Sequence, residues 1–269
     1  MASTATMETI TSADGTPIAF VRAGRGPPFV LVHGTSADYT SWSGVRPAFE
    51  EHLTVYAVDR RGRGESGDAA DYTLAREFED VAAVVEGIDD PVVLFGHSFG
   101  ALCCLGAALR TDNLRALVLY EPAIPFGGHE LYSEDVLAEL SALLDDGENE
   151  RALLLFLREV AELPPAQVDA LRAAPNWPAR VAAAHTVLRE LEAEAAYEFD
   201  AARFEGVTTP TLLLSGGESP QWSKDLTAAI GAALPNSRIA VLEGQEHVAY
   251  YTDPDRFVGE ILAFIRETS

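Results

Sequence analysis

Seven short apolar runs recur along the chain and set the fold: "PIAFVRAG", "PFVLVHG", "LTVYAVD", "PVVLFGH", "RALVLYE", "TPTLLLSG" and "SRIAVLEG". Runs that stay apolar without alternating mark strands covered on both faces. Amphipathic stretches of helical period follow the later ones, at residues 73–87, 101–110, 223–234 and 254–266. Strand and helix in alternation predict an α/β fold, a mostly parallel twisted sheet with helices on both faces. The beginning differs. Residues 8–11 and 17–21 flank Asp14-Gly15, a tight-turn pair, which predicts an antiparallel hairpin and brings the sheet to about eight strands.

Between residues 121 and 207 the alternation stops, and four helix-like stretches follow one another at 133–144, 148–160, 165–173 and 178–191, separated by breaks such as "DDGE" and "AAPNWP". This pattern predicts a helical cap inserted after the sixth strand, roofing the carboxyl edge where parallel sheets hold ligands. The expected organisation is residues 1–122 as the first part of the core, 123–206 as the cap and 207–269 as the second part of the core. A length of 269 residues with 48% hydrophobic content suits one large core with an appended layer rather than two full domains.

Charge narrows the partners. Forty-two acidic against nineteen basic residues leave a formal charge of −23, which repels nucleic acid phosphates and anionic lipid, so neither nucleic acid nor membrane is an expected partner. The first residues are small and polar and no run of about 18 apolar residues occurs, so neither a secretory signal nor a membrane span is indicated, and a cytoplasmic location is expected. Cys103 and Cys104 are adjacent on a predicted helix, about 100° apart, and read as core filler.

The chemistry gathers where strands end. Gly96-His97-Ser98-Phe99-Gly100 stands between a predicted strand and a predicted helix. A sharp strand-to-helix turn needs small flanking residues, exposes the Ser98 hydroxyl and aims the following N–H, from Phe99, at the same point. A serine hydroxyl is a poor nucleophile until a base takes its proton. His247, after the last predicted strand in "VLEGQEHVAYY", is placed to be that base. His52, His129 and His185 fall on predicted helices or in the cap and read as solvated or packed. "RALVLYEPAIP" runs a core strand into Glu121, and an ionised carboxylate at the end of a core strand needs water or a hydrogen-bonded partner.

Together these patterns resemble the α/β-hydrolase fold, over essentially the whole chain and least specifically in the cap. "LVHGTS" at residues 31–36 resembles the family's His-Gly turn after the third strand, and "DRRGRGES" at residues 59–66 its turn after the fourth. The resemblance implies an oxyanion hole from the Phe99 and Thr35 backbone N–H groups, structural roles for His33 and His97, and His247 as base. The acid departs from the commonest pattern. In "LLLSGGESPQW" Ser219 stands where most members carry aspartate, with Glu218 beside it, whereas a minority place the acid after the sixth strand, where Glu121 stands. Glu121 is the expected acid and Glu218 the alternative.

The activity implied is hydrolysis of a carboxyl ester, lactone or thioester through an acyl-enzyme on Ser98. Haloalkane dehalogenase chemistry is disfavoured, because those members use an aspartate nucleophile. Two alternatives share the framework, a cofactor-free haloperoxidase or perhydrolase and a slow-turnover signal-binding receptor. No metal or cofactor is expected: "GRGES" lacks the lysine of a phosphate-binding loop. Trp42, Phe126, Phe156 and Trp177 are the aromatic candidates for the substrate pocket, with Phe99, and point to an uncharged, partly apolar small-molecule substrate.

Overall fold

Phe29 and Leu31 face one apolar cluster and Val30 and Val32 the other, so the third strand, β3 (Pro28–Val32), is buried along its whole length. The same two-residue period divides Val93 and Phe95 from Val92 and Leu94 in β5 (Val92–His97), and Val118 and Tyr120 from Leu117 and Leu119 in β6 (Leu114–Tyr120). A strand with both faces apolar is stable only between two layers of helices, and that is the architecture of the computed structural model, which describes residues 5–128 and 132–268. The sheet has eight strands, completed by β1 (Thr6–Thr11), β2 (Pro17–Gly24), β4 (Thr54–Val58), β7 (Thr211–Gly216) and β8 (Ser237–Leu242), in the order β1-β2-β4-β3-β5-β6-β7-β8.

β1 and β2 form the expected antiparallel hairpin, with Thr11 opposite Pro17 and Thr6 opposite Arg22, and β2 is antiparallel to β4 as well. From β4 to β8 every pairing is parallel. One face carries α2 (Leu74–Glu86), α3 (Phe99–Ala107) and α9 (Gln221–Ala233); the other carries α1 (Arg46–Glu50), α10 (Ala249–Thr252) and α11 (Pro254–Glu267). β8 departs from two-sided burial: Ile239 and Val241 are exposed because it is the last strand of the sheet.

The helical stretch predicted from the sequence lies between β6 and β7, as α4 (Glu134–Asp145), α5 (Asn149–Leu155), α6 (Pro165–Ala173), α7 (Trp177–Ala182) and α8 (Val187–Ala195). Two of its expected helices are broken. The stretch 148–160 leaves α-geometry after α5 for a π-helical turn, Phe156–Val160, where the Ala161 N–H donates to the Phe156 carbonyl five residues back, and Glu162 follows with a positive φ. The stretch 178–191 is interrupted by the 3₁₀ turn Ala183–Thr186. His129 lies outside the described residues, while His52 and His185 are exposed.

Buried ion pairs tie this insertion to the sheet. Arg60 and Arg63, on the turn after β4, both bond Glu190 of α8, and Arg60 also holds Glu77 of α2 at 3.2 Å. Arg61 grips Asp80 with two bonds of 2.7 Å. Arg180 of α7 donates to the Ser36 carbonyl at 3.3 Å and the Ser41 hydroxyl at 3.1 Å. Cys103 and Cys104 are buried free thiols. Among the described residues no helix is long and apolar enough to cross a membrane.

Candidate active site

The order of strands reverses at β3, which has β4 on one side and β5 on the other, so the loops leaving β3 and β5 part in opposite directions and open a crevice at the carboxyl edge. Ser98 stands there, between β5 and α3, with φ 55° and ψ −125°. A non-glycine residue in that region stores about 1–3 kcal/mol of strain. The surroundings fix it: its N–H donates to the Tyr120 carbonyl at 2.9 Å, and its own carbonyl accepts from Ala101 at 2.8 Å. Space dictates the flanking glycines. A Cβ on Gly96 would meet the Gly100 carbonyl at 2.5 Å, and one on Gly100 would meet the His33 carbonyl at 2.4 Å. Gly34 packs so closely that a Cβ there would touch the Ser98 Cβ at 3.0 Å, which brings the Thr35 turn against the serine. Phe99 is the first residue of α3, and its N–H is one that a helix leaves without an internal partner.

His247 and Glu121 meet across the ends of β8 and β6. The His247 Nδ1 is 2.7 Å from Glu121 Oε2, and Glu121 Oε1 accepts from the Gly216 N–H at 2.7 Å. Burial pushes the Glu121 carboxyl up, but the hydrogen bond and charge of His247 and the Gly216 N–H outweigh it, and the neighbouring Ser219 hydroxyl adds to the same effect without closing a hydrogen bond. The carboxyl is thereby held below its ordinary range, so it stays ionised. The loop carrying the histidine is fastened twice. His97 Nε2 lies 2.8 Å from the His247 carbonyl, and the Tyr120 hydroxyl bonds the Glu246 carbonyl while accepting the Ala249 N–H at 3.2 Å. Burial holds His97 and His33 well below the usual histidine value, so both are neutral; His33 accepts the Arg60 N–H at 3.1 Å and joins the turns after β3 and β4.

Ser98 and His247 line two adjoining cavities. The larger, about 190 Å³, is also walled by Glu121, Phe156, Leu191, Glu194, Glu218 and Trp222; the smaller, about 40 Å³, lies on the Thr35 and Arg180 side. An open groove of about 980 Å³ between α2 and α8 reaches none of the three residues and belongs to a different part of the surface. Of the four aromatic pocket candidates, the structure brings only Phe156 to the cavity wall. Trp42 is fully buried, edge-on to Phe95 at 5.5 Å; Phe126 packs on the opposite apolar cluster; Trp177 donates to Glu150 at 3.2 Å on the outer side of the insertion. Aromatic content alone does not tell a core side chain from a wall side chain.

Trp222 and Glu194 are wall residues that sequence reasoning passed over. Glu194 had a signal. It stands at i+7 from Val187 and i+3 from Leu191, both buried, so the apolar stripe of α8 runs into an acid. Burial pushes its carboxyl up to about 8, and among the described residues it has no hydrogen-bond or ion-pair partner. Among the described residues no group of three or more histidine, cysteine, aspartate or glutamate side chains is placed to hold a metal ion.

Comparison with known proteins supplies the wider context. Residues 29–260 match the family described as the alpha/beta hydrolase family. The crystal structure of an alpha/beta hydrolase from Sphaerobacter thermophilus superposes with a TM-score of 0.84 at 34% identity, over 96% of this chain and all of that one. The pimeloyl-[acyl-carrier protein] methyl ester esterase of Aeromonas hydrophila is 26% identical over 91% of this chain and 97% of its own length. An esterase from a Rhodococcus species shares the fold, with a TM-score of 0.75 at 23% identity over 98% of this chain and 99% of that one.

Proposed function

Because this chain belongs to the alpha/beta hydrolase family, we propose that it is a serine hydrolase cleaving a small or medium, partly apolar carboxyl ester, lactone or thioester through an acyl-enzyme. Ser98 Oγ attacks the carbonyl carbon and passes its proton to His247 Nε2. The Nδ1–H donates to Glu121, which fixes the tautomer that leaves Nε2 free for the serine and stabilises the imidazolium once it forms. The N–H groups of Phe99 and Thr35 receive the oxyanion. His247 then gives its proton to the leaving oxygen or sulfur, and water repeats the sequence on the acyl-serine. The helical insertion, residues 123–206, serves as the cap that closes the site from solvent.

The observation that carries this reading is the 2.7 Å contact between His247 and Glu121 on the wall of the cavity that Ser98 also lines. The test is a series of p-nitrophenyl esters of increasing acyl length, with lactones, on wild type and Ser98→Ala. Sustained turnover that disappears in Ser98→Ala, by a factor of about 10⁴ or more, is the expected result. A phosphonate that labels the wild type once and spares the variant gives the same answer chemically. Undiminished turnover in Ser98→Ala removes the serine from the mechanism, and one burst of product followed by silence identifies a receptor instead.

A further inference from the structure

The larger cavity beside Ser98 has five glutamates in its wall, Glu121, Glu162, Glu194, Glu218 and Glu246, and among its described lining residues no lysine or arginine. Glu121 is engaged by His247 and Gly216, and Glu246 accepts from Gln167. Glu162 and Glu218 are exposed at the mouth. Glu194 is neither engaged nor exposed: it is 4% accessible, and its carboxyl has no hydrogen-bond or ion-pair partner among the described residues. A buried acid normally has a partner, and a missing one costs the full desolvation of the group. Here the acid is part of the wall of the cavity that Ser98 also lines.

Arg180 does not offset this field. Its guanidinium donates to Ser36, Ser41 and Tyr251 behind the oxyanion turn, and it borders the smaller cavity, which has room for only a water or two. Phe156 adds an aromatic ring to the wall of the larger cavity, a side chain compatible with a cation.

Resting on the hydrolase reading above, we propose that the substrate carries an ammonium group, and that Glu194 is the specificity-determining residue that pairs with it. This replaces the uncharged substrate expected from the sequence. In the empty cavity, burial keeps Glu194 protonated at neutral pH; an arriving cation favours the carboxylate, and the proton leaves to solvent. The titratable groups around it are Tyr132 and, across the cavity, Glu121, Glu162, Glu218, Glu246 and His247. A cation and its neutral isostere experience all of these alike except through charge.

The test uses acetylcholine and 3,3-dimethylbutyl acetate, which differ by the exchange of a quaternary nitrogen for carbon. The expected wild-type ratio of kcat/KM, cation over neutral, is about tenfold or more, the order of one partly desolvated charge pair. Glu194→Gln, which keeps the volume and cannot ionise, brings the ratio to within about threefold of unity. The ratio also climbs with pH toward about 8 in wild type and not in the variant. A wild-type ratio of one or below, or a ratio that survives in Glu194→Gln, overturns the proposal. Binding of the same two esters to Ser98→Ala, by calorimetry, asks the question without turnover. If no ester, p-nitrophenyl acetate included, is hydrolysed, the hydrolase reading fails and the calorimetric preference still decides this one.

Discussion

The carboxyl edge of the sheet and the helical layer above it both bury glutamates, and they bury them differently. At the sheet edge, Glu121 has each oxygen engaged, one by His247 and one by the Gly216 N–H. In the helical layer, Glu190 is engaged by Arg60 and Arg63, whereas Glu194, one turn further along the same helix, has no partner among the described residues. Burial costs each of these carboxylates its hydration, so what separates them is where compensation comes from. For Glu121 and Glu190 it comes from the chain, and the geometry is set before any substrate arrives. For Glu194, under the proposal above, it comes from the substrate's cation.

The contrast can be broken most forcefully at Glu121. Replacement by Gln keeps the volume and removes the charge in contact with His247, and on the proposed mechanism kcat for a p-nitrophenyl ester is expected to fall by about 10² to 10⁴. Glu218→Gln serves as its control, because that side chain is exposed, and should stay within about threefold of wild type. An inverted ranking hands the role to Glu218 and makes the Glu121 contact structural.

A smaller effect, on stability rather than rate, is expected at Glu190. Glu190→Ala leaves Arg63 buried with, among the described residues, only the Arg61 carbonyl and the Thr186 hydroxyl as acceptors. Burial and the neighbouring Arg60 already push the Arg63 guanidinium down to about 9, so the loss of its carboxylate is felt at once. Removing one partner of a buried pair costs about 3–5 kcal/mol. Urea denaturation should show a lower midpoint with an unchanged slope. Glu194→Ala, by the same measurement, should cost far less, because no pair is broken. Equal losses at the two positions would erase the distinction between paired and unpaired acids.

Strand and turn chemistry were legible in the sequence because each is enforced locally. Gly96 and Gly100 have no space for a Cβ, β3, β5 and β6 are apolar on both faces through their central residues, and Asp14-Gly15 closes the hairpin it forms. Glu121 was legible because a charge at the end of a core strand needs a reason. What the sequence hid depends on contacts between distant segments. Nothing local distinguishes Trp42, held by Phe95 and Tyr250 in the core, from Phe156, which lines the cavity at the start of a π-helical turn that has no compositional mark. Nothing within "DRRGRGES" names the partners of its arginines, which α2 and α8 supply as Glu77, Asp80 and Glu190. Glu194 was visible as an acid on an apolar stripe, but its lack of a partner is a property of the assembled wall.

The finest test of the comparison is the pH dependence of stability, because the two kinds of buried glutamate give slopes of opposite sign. Glu121 is held below its ordinary value in the folded protein, so its contribution is present above the unfolded carboxyl value and is lost as pH falls through the folded one. Glu194 is held above its ordinary value, at about 8, so the folded chain keeps a proton that the unfolded chain has released, and stability falls as pH rises from the ordinary carboxyl range toward 8. Asp59, pushed up to about 6 by burial, has the same sign but is spent lower in the range. Between about pH 6.5 and about pH 7.5 Asp59 is already spent, while His33 and His97, neutral in the folded chain, give a slope of opposite sign, so Glu194 is read as the difference between wild type and Glu194→Gln. Wild type should lose about 1 kcal/mol of unfolding free energy over that unit relative to Glu194→Gln, in urea titrations at the two pH values. Saturating the Ser98→Ala variant with acetylcholine should flatten that fall, since a bound cation lets Glu194 ionise while folded. Parallel curves for wild type and Glu194→Gln would mean that Glu194 is already ionised in the empty protein, which requires a partner inside the chain and places it with Glu121 and Glu190.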